Sequence, residues 1–419
     1  MTLEVGMLGY RFMGKAHANA LARFPMFFPD APAVNRAVLI GRDETALAEH
    51  AERLGFDRTA TGWRSVVDDV DVFYNLGPNH LHAEPSIDAL EAGAAVCCEK
   101  PLATSLSEAE SMVAAAESAD KSAACGFNYR FVPSIRYAKR LIEDGVVGEV
   151  RHVRGRYLQD WLVDPAEPWS WRLDADLAGS GVLGDLGSHV VDLFRFLVGD
   201  DALAGSITAV DGDLRTFVEE RPDPTDSGGA SEAGGSGVER GGGDRDAPNQ
   251  PGEPAGTNGP LDDTETAEVS PETRPVTVDD AAAATLQFES GALGTLEVSR
   301  MATGHKNDLS IAVNGSEGSL RFSLERLNEL EVLRSDDRGY QTVLVTEETD
   351  PYVDRWWPPG HVLGWEHTFV HENAVFLTAV EEDAPFEPSF ADGLAAQRVL
   401  AAIEASAESG DRIRIERLG

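Results

Sequence analysis

Short apolar runs alternate with amphipathic stretches over the first 127 residues of the chain. The apolar runs predict strands, and the stretches between them, with apolar residues three or four apart, predict helices. Strands are expected at residues 5–8, 37–40, 70–76, 94–98 and 123–127, and helices at 13–24, 43–54, 84–92 and 107–119. Asp43 is the expected N-cap of the second helix, and Ser107 with Glu110 resembles a capping box for the fourth. This alternation predicts an α/β arrangement, a parallel sheet with both faces covered.

The pattern changes after residue 128. A helical stretch at 134–143 leads into an alternating strand at 150–157, and a second helical stretch covers 187–197. Strand-like segments then follow closely at 207–218, 281–288, 294–300, 309–313 and 319–322. Strands in close succession predict an antiparallel or mixed sheet with helices on one face, so residues 128–419 are expected to form a second, α+β domain.

The stretch from residue 219 to 275 interrupts this second domain. It contains eleven glycines and eight prolines, no aromatic residue, and only Val238, Leu261 and Val269 as larger aliphatic residues. Such a composition buries too little apolar surface to offset the entropy lost on ordering. We predict a disordered surface insertion at 219–275, with a partner-binding segment as the alternative.

Net charge narrows the classes of partner. The chain carries 72 acidic and 35 basic residues, for a formal charge of −37. A surface of this sign repels nucleic acid and anionic membranes, so neither is an expected partner. The acidic composition resembles that of haloarchaeal proteins and is explained by adaptation to high salt, where self-repulsion is screened.

Cysteine content and apolar runs bear on the compartment. The three cysteines, Cys97, Cys98 and Cys125, are too few for a disulfide framework and lack metal-ligand spacing. The N-terminal residues run straight into a predicted strand, with no secretory signal pattern, and no apolar stretch approaches the length of a membrane span. We expect a cytoplasmic protein.

The turn after the first strand has part of a dinucleotide-binding pattern. Gly9 and Gly14 match the first and third glycines of G-x-G-x-x-G, but Arg11 stands at the second, ahead of Phe12 and Met13. Arg11 and Lys15 place cations at a helix N-terminus, which is already an anion site. The alternative is a tight turn without a ligand.

The end of the second strand is where such folds recognise the ribose of the nucleotide. Gly41 supplies no carboxylate to repel a 2′-phosphate, and Arg42 offers a guanidinium for it, which favours NADP over NAD. Asp43 has two alternative roles, as the helix cap or as a ligand for the ribose of NAD.

A lysine, an aspartate and a histidine suggest proton and hydride chemistry. Lys100 follows a predicted strand directly, and Asp185 and His189 stand four apart, on one face of a helix. A histidine with a pKa of ~6.5 can accept a hydroxyl proton, and a fixed lysine can stabilise the developing alkoxide. Asp185 can orient the substrate or support the charge of His189, with Asp192 as its rival. A surface lysine and a core histidine are the structural alternatives.

Five motifs in order resemble the Gfo/Idh/MocA oxidoreductase family over nearly the whole chain outside 219–275. They are Gly9…Gly14 with Lys15-Ala16-His17, Pro78-Asn79-His80-Leu81-His82, Glu99-Lys100-Pro101-Leu102, Gly126-Phe127-Asn128-Tyr129-Arg130-Phe131 and Gly184-Asp185-Leu186-Gly187-Ser188-His189. The resemblance implies an N-terminal Rossmann domain (1–127) with NAD or NADP bound in its cleft. It also implies a C-terminal domain (128–419) whose open, mostly antiparallel sheet forms dimers or tetramers.

The same resemblance assigns roles to individual residues. Lys100, Asp185 and His189 match the catalytic lysine and the Asp-x-x-x-His pair of the family. Further cofactor contacts are expected from Pro78, Asn79, His82 and Glu99, and substrate contacts from Asn128, Arg130, Trp161 and Arg172. The segment from Arg156 to Arg172 resembles the sugar and polyol dehydrogenases of the family, such as the inositol and levoglucosan enzymes. Asn79 as a helix cap and the tryptophans as core residues are the alternatives.

These patterns together predict an NAD(P)-dependent dehydrogenase that acts on a sugar or polyol hydroxyl. Reduction of a keto-sugar or another small carbonyl compound is the alternative, and a nucleotide-sensing regulatory protein without turnover is a remote one. No metal is expected, because the only His-x-x-x-His pair, His367 and His371, lacks the glutamate of a zinc-protease helix.

Overall fold

Two large β-sheets, the helices packed on them and one two-stranded sheet make up the described part of the chain. The computed structural model describes residues 2–199, 203–224 and 272–415. Within these residues a six-stranded sheet forms the N-terminal part and a nine-stranded sheet the C-terminal part.

The N-terminal sheet is entirely parallel. Its strands are β1 (Thr2–Leu8), β2 (Ala33–Ile40), β3 (Arg58–Ala60), β4 (Val72–Asn75), β5 (Ala95–Cys98) and β6 (Ala123–Cys125). Helices α1 (Phe12–Phe27), α2 (Glu44–Leu54), α3 (Ala83–Glu91) and α4 (Leu106–Ala119) alternate with the strands. The strand order is β3-β2-β1-β4-β5-β6 and reverses between β1 and β4, so a crevice opens there at the carboxyl ends. The predicted Rossmann sheet is confirmed, and β3 is the strand that the sequence pattern missed.

The C-terminal sheet is mixed and mostly antiparallel, as expected. Its strands are β7 (Val150–Leu158), β8 (Ile207–Arg215), β11 (Ala281–Phe288), β12 (Leu293–Ser299), β13 (Asp308–Gly315), β14 (Gly318–Ser323), β15 (Glu329–Arg334), β16 (Gln341–Leu344) and β17 (Ile413–Arg414). Strands β9 (Glu220–Pro222) and β10 (Thr273–Pro275) pair with each other and form a separate two-stranded sheet. The order in the nine-stranded sheet is β16-β15-β14-β13-β7-β12-β11-β8-β17, and β7 with β12 is the parallel pair among the described strands of this sheet. The helices are α5 (Pro133–Glu143), α6 (Ala175–Ala178), α7 (Ser188–Val198), α8 (Glu366–Glu382) and α9 (Phe390–Ser409).

The ends of the predicted insertion are ordered, which corrects its boundaries. Strands β9 and β10 pair antiparallel, and the buried Arg221 donates hydrogen bonds to the carbonyl oxygens of Leu162 (2.6 Å) and Asp164 (2.8 Å). Composition averaged over the whole stretch conceals these few ordered residues at its edges. Residues 225–271, the centre of the predicted insertion, lie outside the described residues.

The C-terminal helices return to the N-terminal sheet. Helix α8 packs on α1, and its Phe369 and Phe376 share an apolar core with Val5 and Met7 of β1. Helix α9 packs on α4, α7 and β8. The chain beyond residue 128 therefore contributes to both cores. In the described part of the chain, no helix is both long enough and apolar enough to cross a membrane.

Two predicted caps have different outcomes. Asp43 caps α2, because its Oδ1 accepts the amide hydrogens of Thr45 and Ala46 at 3.0 Å each. Helix α4 is capped by Ser105 and not by Ser107, since Ser105 Oγ accepts the amide of Glu108 at 3.3 Å. The spacing of Ser105 and Glu108 equals that of the predicted pair, two residues earlier.

Candidate active site

The predicted cofactor residues lie at the carboxyl ends of four neighbouring parallel strands. Residues 9–14 follow β1, Arg42 and Asp43 follow β2, residues 78–82 follow β4, and Glu99 and Lys100 follow β5. Parallel strands bring these loops to one edge of the sheet, where dinucleotides bind in folds of this order.

The turn between β1 and α1 requires both of its predicted glycines. Gly9 has φ +102°, and a Cβ there would lie 2.6 Å from the carbonyl oxygen of Leu76. A Cβ on Gly14 would collide with the carbonyl oxygen of Gly9. Arg11 has φ −81°, which any L-residue adopts, so the backbone does not need a glycine at this position.

The start of α1 has the features of a phosphate site. The helix begins at Phe12, and the exposed Arg11 makes no side-chain cap, so the amides of the first turn have no side-chain acceptor at this end. Phe12 is exposed and stacks on Trp365 of the C-terminal part at 5.5 Å, and Met13 is half-buried. Free amides, a helix dipole and an arginine together fit the pyrophosphate of a dinucleotide.

The end of β2 carries no acid at the ribose position. A Cβ on Gly41 would lie 2.5 Å from Cε1 of Tyr10, so a larger residue here requires the Tyr10 ring to move. Arg42 is exposed, with no ion pair to another described residue. Asp43 uses Oδ1 for the helix cap.

The loop after β4 holds one predicted histidine inside the protein. His82 is 1% exposed, and its ring nitrogens contact the carbonyl oxygens of Pro101 (2.8 Å) and Gly77 (3.1 Å). The ring thus anchors the loop that follows Lys100, and its contact with the cofactor stays a prediction. Asn79 Nδ2 donates to the carbonyl oxygen of Ala178 (2.9 Å), the last residue of α6, and Pro78 is half-buried beside it.

Lys100 is joined to Asp185 across the cleft. Its Nζ lies 2.8 Å from the backbone oxygen of Asp185 and 3.0 Å from Oδ1. Asp185 belongs to a π-helical turn, Leu183–Gly187, that leads into α7. Such turns are frequent at functional sites. Side chain and backbone of Asp185 together fix the lysine ammonium at the strand end.

Charges around Asp185 keep it ionised. Burial raises the pKa of Asp185, but the charges of Lys100, Arg172 and Arg300 outweigh burial and hold the pKa below its usual value. Three cations thus surround one carboxylate. An alkoxide that develops here is stabilised by the same charges.

His189 is a neutral base in this setting. Burial and the charge of Lys100 lower the pKa of His189 well below 6.5, against a smaller opposing effect of Asp185. The ring packs on Tyr129 at 4.5 Å, and Nδ1 is buried without a hydrogen-bond partner. Nε2 is not enclosed in this way and is the nitrogen that a bound hydroxyl can reach.

Two predicted substrate residues are enclosed instead. Arg130 is 3% exposed and makes a bidentate pair with Asp192, at 2.6 to 3.0 Å, with a further bond to Asp392. Asn128 is buried and donates to Thr368 Oγ1 (2.8 Å). Both side chains are therefore bonded within the protein, and their contact with a substrate stays a prediction. The pairing also removes Asp192 as a rival of Asp185.

Beside His189 lies a hydrogen-bonded row of which sequence reasoning identified only Trp161. The row consists of Tyr129, Tyr157, Asn307, Gln159 and Trp161. The hydroxyls of the tyrosines are 2.9 Å apart, Tyr157 donates to Asn307 Oδ1 (2.6 Å), and Gln159 Nε2 donates to the same oxygen (2.9 Å). The indole of Trp161 donates to Gln159 Oε1 (2.9 Å). The signal available was the alternation of β7, which puts Tyr157 and Gln159 on one face.

Two arginines lie close enough to Asp185 to act on its charge. Arg172, half-buried over the Trp171 ring at 4.5 Å, is close enough to Asp185 to lower its pKa. Arg300 is fully buried, donates to the carbonyl oxygen of Asp279 (2.8 Å) and lies 5.6 Å from the Trp161 ring. No local pattern marks Arg300 in the sequence.

The His-x-x-x-His pair is occupied by other contacts. His371 accepts from the indole of Trp356 (2.7 Å), and its other ring nitrogen lies 3.0 Å from the carbonyl oxygen of Phe131. In the ranges that the structure describes, no group of three or more histidine, cysteine or acidic residues has the arrangement of a metal site.

Comparisons with known proteins agree with this architecture. Residues 3–127 match the model of the oxidoreductase family with an NAD-binding Rossmann fold, and residues 135–321 match the GFO/IDH/MocA C-terminal domain. Levoglucosan dehydrogenase of Pseudarthrobacter phenanthrenivorans is 39% identical over 399 residues, which cover 93% of this chain and 92% of that protein.

Solved structures align over almost the full length. An oxidoreductase domain protein from Kribbella flavida has 43% identity and a TM-score of 0.84, with 99% of this chain and 100% of that chain covered. Levoglucosan dehydrogenase in complex with NADH and levoglucosan has 35% identity and a TM-score of 0.84 over the same shares. The glycine turn, the Lys100–Asp185 bridge and these matches lead to one conclusion. The chain belongs to the Gfo/Idh/MocA family of NAD-binding oxidoreductases.

Proposed function

We propose that the chain transfers a hydride between the carbon of a sugar or polyol hydroxyl and a nicotinamide cofactor. The Lys100–Asp185 bridge beside a neutral His189 is the observation that carries this proposal. A fixed ammonium and a neutral imidazole suit the loss of a hydroxyl proton as the hydride leaves the same carbon.

Each catalytic residue has one role. His189 accepts the hydroxyl proton at Nε2, because its lowered pKa keeps the ring neutral near pH 7. Lys100 donates a hydrogen bond to the substrate oxygen and stabilises the negative charge that forms on it. Asp185 holds Lys100 in place and orients a neighbouring hydroxyl.

Residues at the strand ends fit the cofactor. The amides that follow Gly9 at the start of α1 and the side chain of Arg11 would hold the pyrophosphate, with Asn79 and Pro78 near the ribose. The nicotinamide supplies the hydride acceptor. Glu99 does not face the crevice, because its carboxylate is buried behind Lys100.

We infer that NADP is preferred to NAD. The exposed Arg42 is available for a 2′-phosphate, Gly41 supplies no carboxylate to repel it, and Asp43 is engaged as a cap. Arginine recognises phosphate with two parallel hydrogen bonds, which supports this preference.

A sugar or polyol substrate is supported by the lining of the site. The Trp161 indole is held by Gln159 and presents a flat surface, on which the apolar face of a sugar ring can stack. The row of tyrosine, asparagine and glutamine groups supplies hydrogen bonds for several hydroxyls. The resemblance to levoglucosan dehydrogenase agrees with this substrate class.

Assembly and compartment complete the proposal. We expect a dimer or tetramer formed through the open face of the nine-stranded sheet, which light scattering coupled to size-exclusion chromatography measures. A cytoplasmic location is supported by Cys97, Cys98 and Cys125, which are all buried and free.

A spectrophotometric screen tests the function. Levoglucosan, myo-inositol, D-xylose and D-glucose are offered with NAD and with NADP at high salt, and absorbance of the reduced cofactor is followed at neutral pH. The proposal expects turnover with at least one sugar. A protein that binds NADPH but oxidises no sugar and reduces no keto-sugar of the panel is a nucleotide-binding protein without this activity.

A further inference from the structure

A buried polar cluster lies directly behind Lys100. It consists of His17 from α1, Glu99 at the end of β5 and Asn373 from α8, which are 0%, 5% and 1% exposed. His17 Nε2 lies 3.2 Å from Glu99 Oε1, and Asn373 Nδ2 lies 3.1 Å from His17 Nδ1. Three segments far apart in sequence therefore meet at the residue before Lys100.

The hydrogen bonds of Asn373 determine which nitrogen of His17 carries the proton. Asn373 Nδ2 donates to the carbonyl oxygen of Phe369 (2.7 Å) and lies 3.1 Å from His17 Nδ1, whereas Asn373 Oδ1 is 3.5 Å from Nδ1, so the shorter contact makes Nδ1 an acceptor. The proton of a neutral ring then resides on Nε2. His17 therefore donates to Glu99.

The second oxygen of Glu99 acts on Lys100 itself. Glu99 Oε2 accepts the backbone amide of Lys100 at 3.2 Å. The carboxylate fits against Gly126, where a Cβ would lie 3.1 Å from Glu99 Cδ. The orientation of the carboxylate is thus set by His17 on one side and by close packing on the other.

A contribution to stability does not by itself explain this cluster. A buried carboxylate is expensive to desolvate, and apolar residues of similar volume often replace buried polar groups without loss of stability. A carboxylate that receives one hydrogen bond from α1 and one from the Lys100 amide serves better to fix geometry. The opposite end of Lys100 must meet Asp185 within hydrogen-bond distance.

We propose that His17 is a positioning residue for Lys100. Through Glu99 it fixes the Lys100 backbone, and so the direction of the ammonium, and it connects that direction to α1, at whose N-terminus the cofactor phosphates would bind. The inference rests on the proposed role of Lys100 in hydride transfer.

Two substitutions of His17 separate positioning from packing. The amide nitrogen of glutamine extends about as far from the backbone as Nε2, and the amide oxygen of asparagine, an acceptor, about as far as Nδ1. His17→Gln keeps the donor to Glu99, whereas His17→Asn keeps the contact with Asn373 and loses the donor. His371→Gln is the matched control. His371 lies on α8, as Asn373 does, is fully buried, and has a hydrogen-bond contact at each ring nitrogen. These contacts involve neither Glu99 nor Lys100.

Turnover and lysine reactivity are both measured. With the best sugar of the panel, His17→Asn should lose about 10- to 100-fold in kcat with smaller changes in both Michaelis constants, while His17→Gln and His371→Gln stay within about threefold of wild type. Acetylation of Lys100 in the cofactor-free protein, followed by peptide mass spectrometry relative to Lys139, should be faster in His17→Asn alone.

Each outcome bears on one of the two proposals. Wild-type kcat or unchanged Lys100 acetylation in His17→Asn overturns the positioning role, as does an equal loss in His17→Gln or His371→Gln. Lys100→Met is assayed in parallel. If it is as active as wild type, the proposed function fails; if it is inactive while His17→Asn is fully active, only the positioning role fails.

Discussion

At the scale of single residues, the site depends on an imbalance of charge. Lys100, Arg172 and Arg300 surround the carboxylate of Asp185, in a protein whose formal charge is −37. The local excess of cations keeps Asp185 ionised and contributes to keeping His189 neutral. A proton acceptor and a stabiliser of negative charge therefore coexist near pH 7.

Arg42 provides a test of cofactor choice. A contact between arginine and phosphate contributes ~1.5–3 kcal/mol, roughly tenfold or more in affinity, and high salt weakens it. Arg42→Ala should raise the Michaelis constant for NADP about tenfold and leave that for NAD almost unchanged. Arg53→Ala, which removes another exposed arginine from α2, is the control. If wild type prefers NAD and Arg42→Ala changes neither constant, Asp43 becomes the better candidate for binding the ribose.

His371 makes stability depend on pH. Burial lowers the pKa of His371 to about 3, so between that value and 6.5 the unfolded chain binds a proton that the folded protein does not. The contribution is complete above pH 6.5 and is lost as the pH falls. Relative to His371→Gln, the free energy of unfolding of the wild type should fall by about 1 kcal/mol between pH 7.0 and 5.5. Urea unfolding at fixed high salt measures it, and parallel curves for the two proteins would contradict the prediction.

At the scale of elements, the spacing of Asp185 and His189 was informative although the local helix differs from the expected one. The sequence predicted two side chains on one α-helical face, whereas Asp185 lies in a π-helical turn before α7. The extra residue per turn is not encoded in apolar periodicity. The backbone oxygen of Asp185, which bonds Lys100, could therefore not be predicted.

The sequence also did not predict which strands pair with each other. Tyr157 of β7 pairs in register with Leu309 of β13, which brings Asn307 to the tyrosine hydroxyl. Apolar patterns identify strands but not their partners. For the same reason the sequence predicted that Arg130 contacts the substrate, whereas the structure pairs its guanidinium with Asp192, 62 residues away.

The β9–β10 pair defines how much of the insertion can be removed. The amide of Asp223 donates to the carbonyl oxygen of Glu272 (2.7 Å), so a three-residue loop of Pro224 and an inserted Asn-Gly can close the hairpin in place of residues 225–271. We expect activity and melting temperature to remain near wild type, because the composition of that stretch provides little apolar burial.

A longer deletion is the control for this variant. Joining residue 219 to 275 removes Arg221 and its bonds to the segment before Trp169, and should lower both activity and melting temperature. Thermal unfolding and kcat/KM are measured for both deletions. Equal damage from the short deletion would mean that residues 225–271 pack or bind.

At the scale of the whole molecule, net charge predicts a dependence on salt. The electrostatic screening length is about 10 Å at 0.1 M salt and about 3 Å at 1 M. Like charges on the surface therefore repel one another more strongly at low salt than at high salt. The melting temperature should therefore rise by several degrees between 0.1 and 2 M KCl. Sorbitol at equal osmolality is the control, because it leaves the charges unscreened. Equal stabilisation by sorbitol would exclude charge screening as the cause.

Transfer of deuterium from a sugar carbon to the nicotinamide ring is the most direct measure of hydride transfer at this site. The wild-type protein, given deuterated levoglucosan or D-glucose with NADP, should yield reduced cofactor that carries the label, as read by mass spectrometry. Lys100→Met and His189→Ala should transfer the label about 10²–10⁴ times more slowly while still binding NADPH. Wild-type rates in both variants, or reduced cofactor without label, would contradict hydride transfer assisted by Lys100 and His189.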